Sequence, residues 1–208
     1  MYKRTLFRQM PVTLLLIAAN VLVYILTVMA GMNLWWGNGE QLLHWGANYW
    51  PLTVGHREYW RLLTSMFLHA GWWHLLTNMT GLFIAGVFLE RVIRPLRFII
   101  AYLITGLIAD YASVLFHRNM VGVGASGAIF GIYGVFFALL TTRLFPPAAR
   151  HNFLGYISLF ILLNFLVAGF SQDIDNAAHL AGFLSGMLTG YAYYFTLTEA
   201  DGLRLPNR

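Results

Sequence analysis

Apolar residues in this chain run in long unbroken stretches rather than alternating with polar ones. Six such stretches can be drawn, at roughly 11–30, 73–90, 96–116, 124–144, 152–170 and 177–197. Each approaches the about 20 residues that an α-helix needs to cross a hydrocarbon core about 30 Å thick. Backbone groups in hydrocarbon must find partners within the chain, which leaves helices or a closed barrel. A barrel would show segments of about ten residues with alternating character, so the pattern predicts helices. The first stretch follows Lys3, Arg4 and Arg8, and Val28-Met29-Ala30 could mimic a signal-peptidase site. Its apolar run is longer than the about 7–15 residues of a signal peptide, so it is expected to be retained as a span. No internal repeat, low-complexity tract or second domain interrupts the series. The expected fold class is therefore all-α: a polytopic membrane protein with six transmembrane helices in a single domain over 1–197, followed by a short polar tail, 198–208.

Composition agrees. Of 208 residues, 59% are hydrophobic and 10% charged, against about 25% charged in soluble domains. So few charges cannot cover a globule, and lipid is the expected solvent. There is no cysteine, which removes disulfides, thiolate nucleophiles and cysteine metal sites. The net charge of +5 reads as a topology signal rather than a nucleic-acid footprint. With the N-terminus placed inside, ten of the thirteen basic residues fall on inner segments, and only Arg57, Arg61 and Arg118 lie outside. This bias predicts both termini in the cytoplasm. The one long connection, about 31–72, then lies outside. All seven tryptophans fall in or beside it, from Trp35 to Trp73. Indole rings favour the headgroup level, so this first loop is expected to be membrane-associated.

The orientation carries the chemistry. Spans two, four and six all begin on the outside, which puts His74 and Asn78, Ser126, and His179 at one depth near the outer surface. Polar groups inside membranes are costly and usually functional. In span four, Gly124, Gly127, Ala128, Gly131 and Gly134 follow helical spacing. In span six, His179 shares a face with Gly182, Gly186 and Gly190. Small residues every four positions let helices approach closely, which would draw His179 toward Ser126. Serine becomes a nucleophile when a base takes its proton, and neutral histidine can be that base. His74 and Asn78, four apart on one face, could both point at an oxyanion, and the Ser126 N–H, free in the first helical turn, could add a third donor. No acid is placed to orient His179. Asp173 and Asp175 read as solvated loop residues, and Asp110 as a candidate structural partner in span three. Phe130, one turn after Ser126, could instead stack on the imidazole. The pattern predicts a Ser–His dyad rather than a triad. His69 and His74 are five apart, His179 is remote and there is no HExxH element, so no metal is expected.

These residues resemble the rhomboid intramembrane serine proteases of the six-span bacterial type. The matching pieces are Gly124-Ala125-Ser126-Gly127, the His74-x-x-x-Asn78 element, and Ala178-His179-Leu180-Ala181-Gly182 followed by Gly186. Trp60-Arg61 is similar to the family's Trp-Arg pair in the first loop, and Glu90-Arg91 to its Glu-Arg pair at the inner end of span two. The likeness runs over roughly residues 11–195.

The resemblance implies Ser126 as nucleophile, His179 as general base, and His74, Asn78 and the Ser126 amide as oxyanion hole. It implies Trp60-Arg61 as a structural pair that helps hold the first loop in the outer leaflet. It implies cleavage of single-span transmembrane substrates near their outer ends, within membrane lipid, with no cofactor, metal or nucleic acid. The expected location is a bacterial inner membrane with the site toward the outer side. Where some members carry tyrosine, this chain has Phe130; stacking survives and a phenolic hydrogen bond does not. The alternative is a non-catalytic relative that binds membrane proteins, which would typically lack the serine or the histidine. A transporter or channel would call for intramembrane charges or broken helices in paired halves, a pattern not found here.

Overall fold

The computed structural model describes residues 9–169 and 174–197. Lys3, Arg4, Arg8, Asp173 and the expected tail, 198–208, lie outside the described residues. The helices are, in chain order, α1 (Pro11–Met29), α2 (Gly39–His44), α3 (Arg61–Thr64), α4 (Trp72–Ile93), α5 (Pro95–Phe116), α6 (Ser126–Thr141), α7 (Pro147–Gly169) and α8 (Asn176–Thr196). A turn of π-helix at Pro51–Gly55 and a 3₁₀ turn at Ser65–Phe67 complete the first loop. Among the described residues there is no strand, only a single antiparallel bridge between Asn48 and Gly122.

The six long helices fall on the six apolar stretches. By length and composition alone, α1, α4 and α5 are long and apolar enough to cross a membrane. α6 is shorter than its stretch, at 16 residues. It starts only at Ser126, because Gly124 holds φ at +121°, a left-handed value that glycine adopts without steric cost. Gly124 therefore precedes the glycine stripe instead of belonging to it. Proline opens α1, α5 and α7, where its missing N–H costs nothing. The free N–H groups of α1 are met from another helix. The fully buried Glu90 of α4 accepts from Val12 N–H at 2.8 Å, Thr13 N–H at 2.7 Å and the Thr13 hydroxyl at 2.5 Å.

The core lies along α6, which α4, α5 and α8 enclose. α6 and α8 touch backbone to backbone. A Cβ added to Gly182 would lie 2.2 Å from the Gly127 carbonyl oxygen, and one on Gly186 2.0 Å from that of Gly131. One on Gly190 would lie 2.7 Å from the Val135 oxygen. The three contacts advance by four residues in both helices, so α6 and α8 run parallel with their N-termini at the same end. Against α5 the order reverses: Gly127 meets Ala109 and Gly131 meets Thr105, so α5 runs antiparallel to α6.

The first loop is a built element. The Asn38 side chain caps α2. Arg61, only 7% exposed, donates to the Leu43 and Ala47 carbonyls at 2.7 and 3.2 Å and pairs with Glu58 at 2.6 Å. Ser65 bonds Asp110 of α5 at 2.6 Å, and Asn48 donates to the Asp110 carbonyl at 2.7 Å. The loop is thereby tied to the same end of the bundle as the N-termini of α6 and α8.

If the glycine contact sets the separation of α6 and α8, Gly186→Ala should force the helices apart and lower stability by about 1–3 kcal/mol, as overpacking does. Thermal unfolding in detergent should show a lowered midpoint. Gly155→Ala on α7, with nothing within 4 Å of its added Cβ, should leave the midpoint unchanged or raised; equal behaviour of the two variants would refute the contact's role.

Candidate active site

Three helix N-termini converge at one end of the bundle. Ser126 is the first residue of α6, so its own N–H has no acceptor within the helix. His179 is the fourth residue of α8. The parallel glycine contact brings the two helix starts level, and His179 Nε2 lies 2.9 Å from Ser126 Oγ. That is within the reach a general base needs. Phe130, one turn below Ser126, lies flat against the imidazole, with ring centroids 4.2 Å apart and planes 7° from parallel. Both rings are buried, at 2% and 7% exposure. Among the described residues the imidazole's one hydrogen bond is to Ser126. The pair is oriented by an aromatic face and by its helix, and no carboxylate of the described residues is bonded to the ring.

His74 stands in the first turn of α4, against Gly124. A Cβ on Gly124 would lie 2.7 Å from His74 Nε2 and 3.8 Å from Ser126 Oγ. The Gly124 N–H donates to the Ser65 carbonyl at 2.9 Å. The absent side chain is thus what lets an imidazole sit beside the serine. Asn78 Nδ2 donates back to the His74 carbonyl at 2.8 Å, while its Oδ1 is buried with no partner among the described residues. An amide nitrogen has two hydrogens, so one remains for another acceptor. His74 and the Ser126 N–H can therefore supply donors beside the serine, and Asn78, one turn along α4 from His74, keeps one amide hydrogen free while the other is engaged with its own helix.

The other expected site residues divide. Gly127, Gly182 and Gly186 form the α6–α8 contact. Trp60 and Arg61 act within the first loop: the guanidinium sits 4.6 Å over the Trp60 ring and ties Leu43, Ala47 and Glu58 together, with no bond to Ser126 or His179. Asp110 is the structural partner of Ser65. Asp175 departs from expectation. It is not a solvated loop residue: its carboxylate accepts from Ala178 N–H at 2.9 Å and from His117 Nδ1 at 3.1 Å. A helix N-cap favours aspartate for that purpose.

Two further features were not expected. His69 packs edge-on against His74, with ring centroids 5.0 Å apart, and apart from an interaction with the Phe67 backbone its buried nitrogens have no hydrogen-bond partner among the described residues. Burial first, then the neighbouring His74, holds its imidazole well below the ordinary range, so it is neutral. Asn48 and Ser65 anchor the first loop on Asp110. An acid within an apolar stretch signals that a polar partner must exist, yet those partners lie 62 and 45 residues away in a loop of no periodicity. Among the described residues no group of three or more His, Cys, Asp or Glu side chains could hold a metal ion.

Comparison with known proteins places this arrangement. The family model for the Rhomboid domain matches residues 56–195. RHOMBOID-like protein 1 of Arabidopsis thaliana is 38% identical over 148 residues, covering 71% of this chain and 38% of that protein. Inactive RHOMBOID-like protein 8 of the same plant is 34% identical over 71% of this chain and 42% of its own length. Rhomboid protease GluP of Bacillus subtilis (strain 168) is 33% identical over 195 residues, 93% of this chain and 37% of that protein. The chain thus spans less than half the length of these relatives. The family match, the all-helical bundle and its long apolar helices together make this chain an integral membrane protein with an intramembrane-protease-like fold, and it belongs to the rhomboid family.

Proposed function

We propose that the protein is an intramembrane serine endopeptidase that cleaves single-span transmembrane proteins near the outer membrane face. Membership of the family does not by itself supply activity, since one relative is named inactive. The observation that carries the proposal is the bond between Ser126 and His179. In this reading the domain spans 1–197 with all six long helices crossing the bilayer. Both termini are cytoplasmic and the site faces outward, as the distribution of basic residues favours. The expected location is a bacterial inner membrane, and the similarity to a Bacillus subtilis protein over 93% of the chain is in keeping with a bacterial host.

The chemistry follows from the geometry. His179 Nε2 takes the Ser126 proton as Oγ attacks the scissile carbonyl, and the imidazolium then protonates the leaving amine. Negative charge on the carbonyl oxygen meets the Ser126 N–H, the His74 imidazole and the free hydrogen of the Asn78 amide. Water enters from the outer side and gives its proton to His179 as its oxygen attacks the acyl carbon; the bond to Oγ breaks, and the imidazolium returns the proton to Ser126 Oγ. Phe130 holds the ring plane in place of a triad carboxylate. No cofactor or metal has a role in these steps. A substrate helix must enter from lipid and unwind at the level of Ser126.

Purified in detergent and given a fluorescent transmembrane substrate, the wild-type protein should cleave, and Ser126→Ala and His179→Ala should not. Persistent cleavage by Ser126→Ala would sink the mechanism, whereas a wild-type protein that binds the substrate without cutting it would favour the non-catalytic relative. Because only neutral imidazole accepts a proton, the rate should fall as the pH is lowered through the titration of His179; a rate that instead falls as the pH rises from about 5 to 9, with unchanged binding, would count against that residue as base. Gly124→Ala should slow labelling of Ser126 by a fluorophosphonate at least about tenfold, through displaced His74 and a strained backbone. Labelling at the wild-type rate would show that His74 does not need that space.

A further inference from the structure

Below its first turn, α8 is located by the glycine contact with α6. The first turn, which carries His179, lies above the close backbone contact at Gly182 and meets Gly127 more loosely, with Ala178 3.9 Å from an added Cβ. Apart from the Ser126–His179 bond itself, the described residues provide one polar side-chain tie from this turn to another helix: Asp175 to His117 at 3.1 Å. Asp175 acts at three points. Its carboxylate accepts from Ala178 N–H at 2.9 Å, its carbonyl accepts from His179 N–H at 3.1 Å, and the same carboxylate oxygen meets His117.

His117 ends α5, with its own N–H bonded to the Ser113 carbonyl at 2.8 Å. A carboxylate at a helix N-terminus complements the dipole it sits on, and the imidazole at the end of α5 meets that carboxylate. The segment after His117 is docked as well. Gly122 exchanges both backbone bonds with Asn48, at 2.8 and 2.9 Å, and the Arg118 guanidinium lies 5.0 Å over the Trp50 ring. His117 is thus a fixed point, held by α5 on one side and by the first loop on the other.

We infer that Asp175 and His117 are a positioning pair: the bond between them latches the first turn of α8 to the end of α5 and so holds His179 against Ser126. This rests on the protease reading above. Neither residue touches the reacting atoms; both act through the placement of the imidazole. Where a dyad has no third residue bonded to its histidine, the stacked Phe130 can hold the ring plane but the position of the ring must come from the helix that carries it, and misplacement by about 1 Å can cost up to about 100-fold in rate.

The test is steady-state cleavage of a fluorescent transmembrane substrate by the full-length protein, with kcat and KM separated. His117→Ala should lower kcat about tenfold with KM within about twofold, since substrate binding is untouched while the base is displaced. Asp175→Ala, which also loses the cap, should lower kcat at least as far. Asp175→Asn keeps a capping oxygen and should recover to within about threefold of wild type. The double variant Asp175→Ala with His117→Ala should be no worse than Asp175→Ala alone, because the two residues share one interaction. His117 is partly exposed, so its variant keeps the question answerable if Asp175→Ala does not fold. Wild-type kcat in His117→Ala, or a double variant equal to the product of the singles, would overturn the latch. If instead wild type fails to cleave, or Ser126→Ala still cleaves, the protease reading falls and the latch with it.

Discussion

The approach of α6 to α8 is the constraint on which the rest depends. Two helices can come this close only if no side chain stands between them, and Gly182 and Gly186 supply that vacancy against the carbonyls of Gly127 and Gly131. In lipid there is no hydrophobic force to drive helices together, so dispersion over a long, tight contact and weak polar contacts must hold them. The register of four residues in both helices fixes more than distance. It makes the pair parallel and brings their starts level, which puts a hydroxyl and an imidazole within 2.9 Å of each other. A substituent of one methyl group along the stripe would be felt at the serine.

Around that contact the polar groups act as ties. At the far end Glu90 meets the N–H groups of α1, and at the near end Asp110 receives Ser65 and Asn48 from the first loop. Both acids are buried and need hydrogen-bond partners there: Glu90 has the N–H groups and hydroxyl at the start of α1, the Asp110 side chain has the Ser65 hydroxyl, and Asn48 bonds the Asp110 backbone carbonyl. The first loop is therefore not a free excursion between spans. It is pinned through Arg61 internally and through Asp110 and Gly122 to α5 and the segment that follows. The same segment carries His117, so loop, α5 and the start of α8 share one set of bonds close to the candidate site.

Much of this is legible in the linear chain because lipid narrows the choices. The helices follow from unbroken apolar runs, and the parallel pairing from two glycine stripes with equal period. Ser126, His179, His74 and Asn78 can be grouped because alternating spans bring every second start to one side. Phe130 is readable as a stacking partner from its place one turn after Ser126. What is not legible depends on tertiary approach. Gly124 looks like one more member of a helical stripe, and only its positive φ takes it out of the helix. Asp175 looks like a loop acid until the end of α5 is found beside it. Asn48, Ser65 and His69 sit in a segment without periodicity, where nothing local announces a partner on α5 or α4. The amide of Asn78 shares a face with His74, as the spacing says, but one of its donors turns back on its own helix.

The proposed dyad is spare: a serine, an imidazole, an aromatic face and three candidate donors, with no acid bonded to the imidazole among the described residues. The most direct examination is a high-resolution structure of the protein treated with a peptidyl aldehyde matching a cleaved substrate segment. Expected is a hemiacetal on Ser126 Oγ whose oxygen lies within about 3 Å of the Ser126 N–H, the His74 imidazole and the Asn78 amide, with Phe130 still stacked on His179. An adduct on another residue, or a hemiacetal oxygen turned away from these donors, would contradict the assignment of the site.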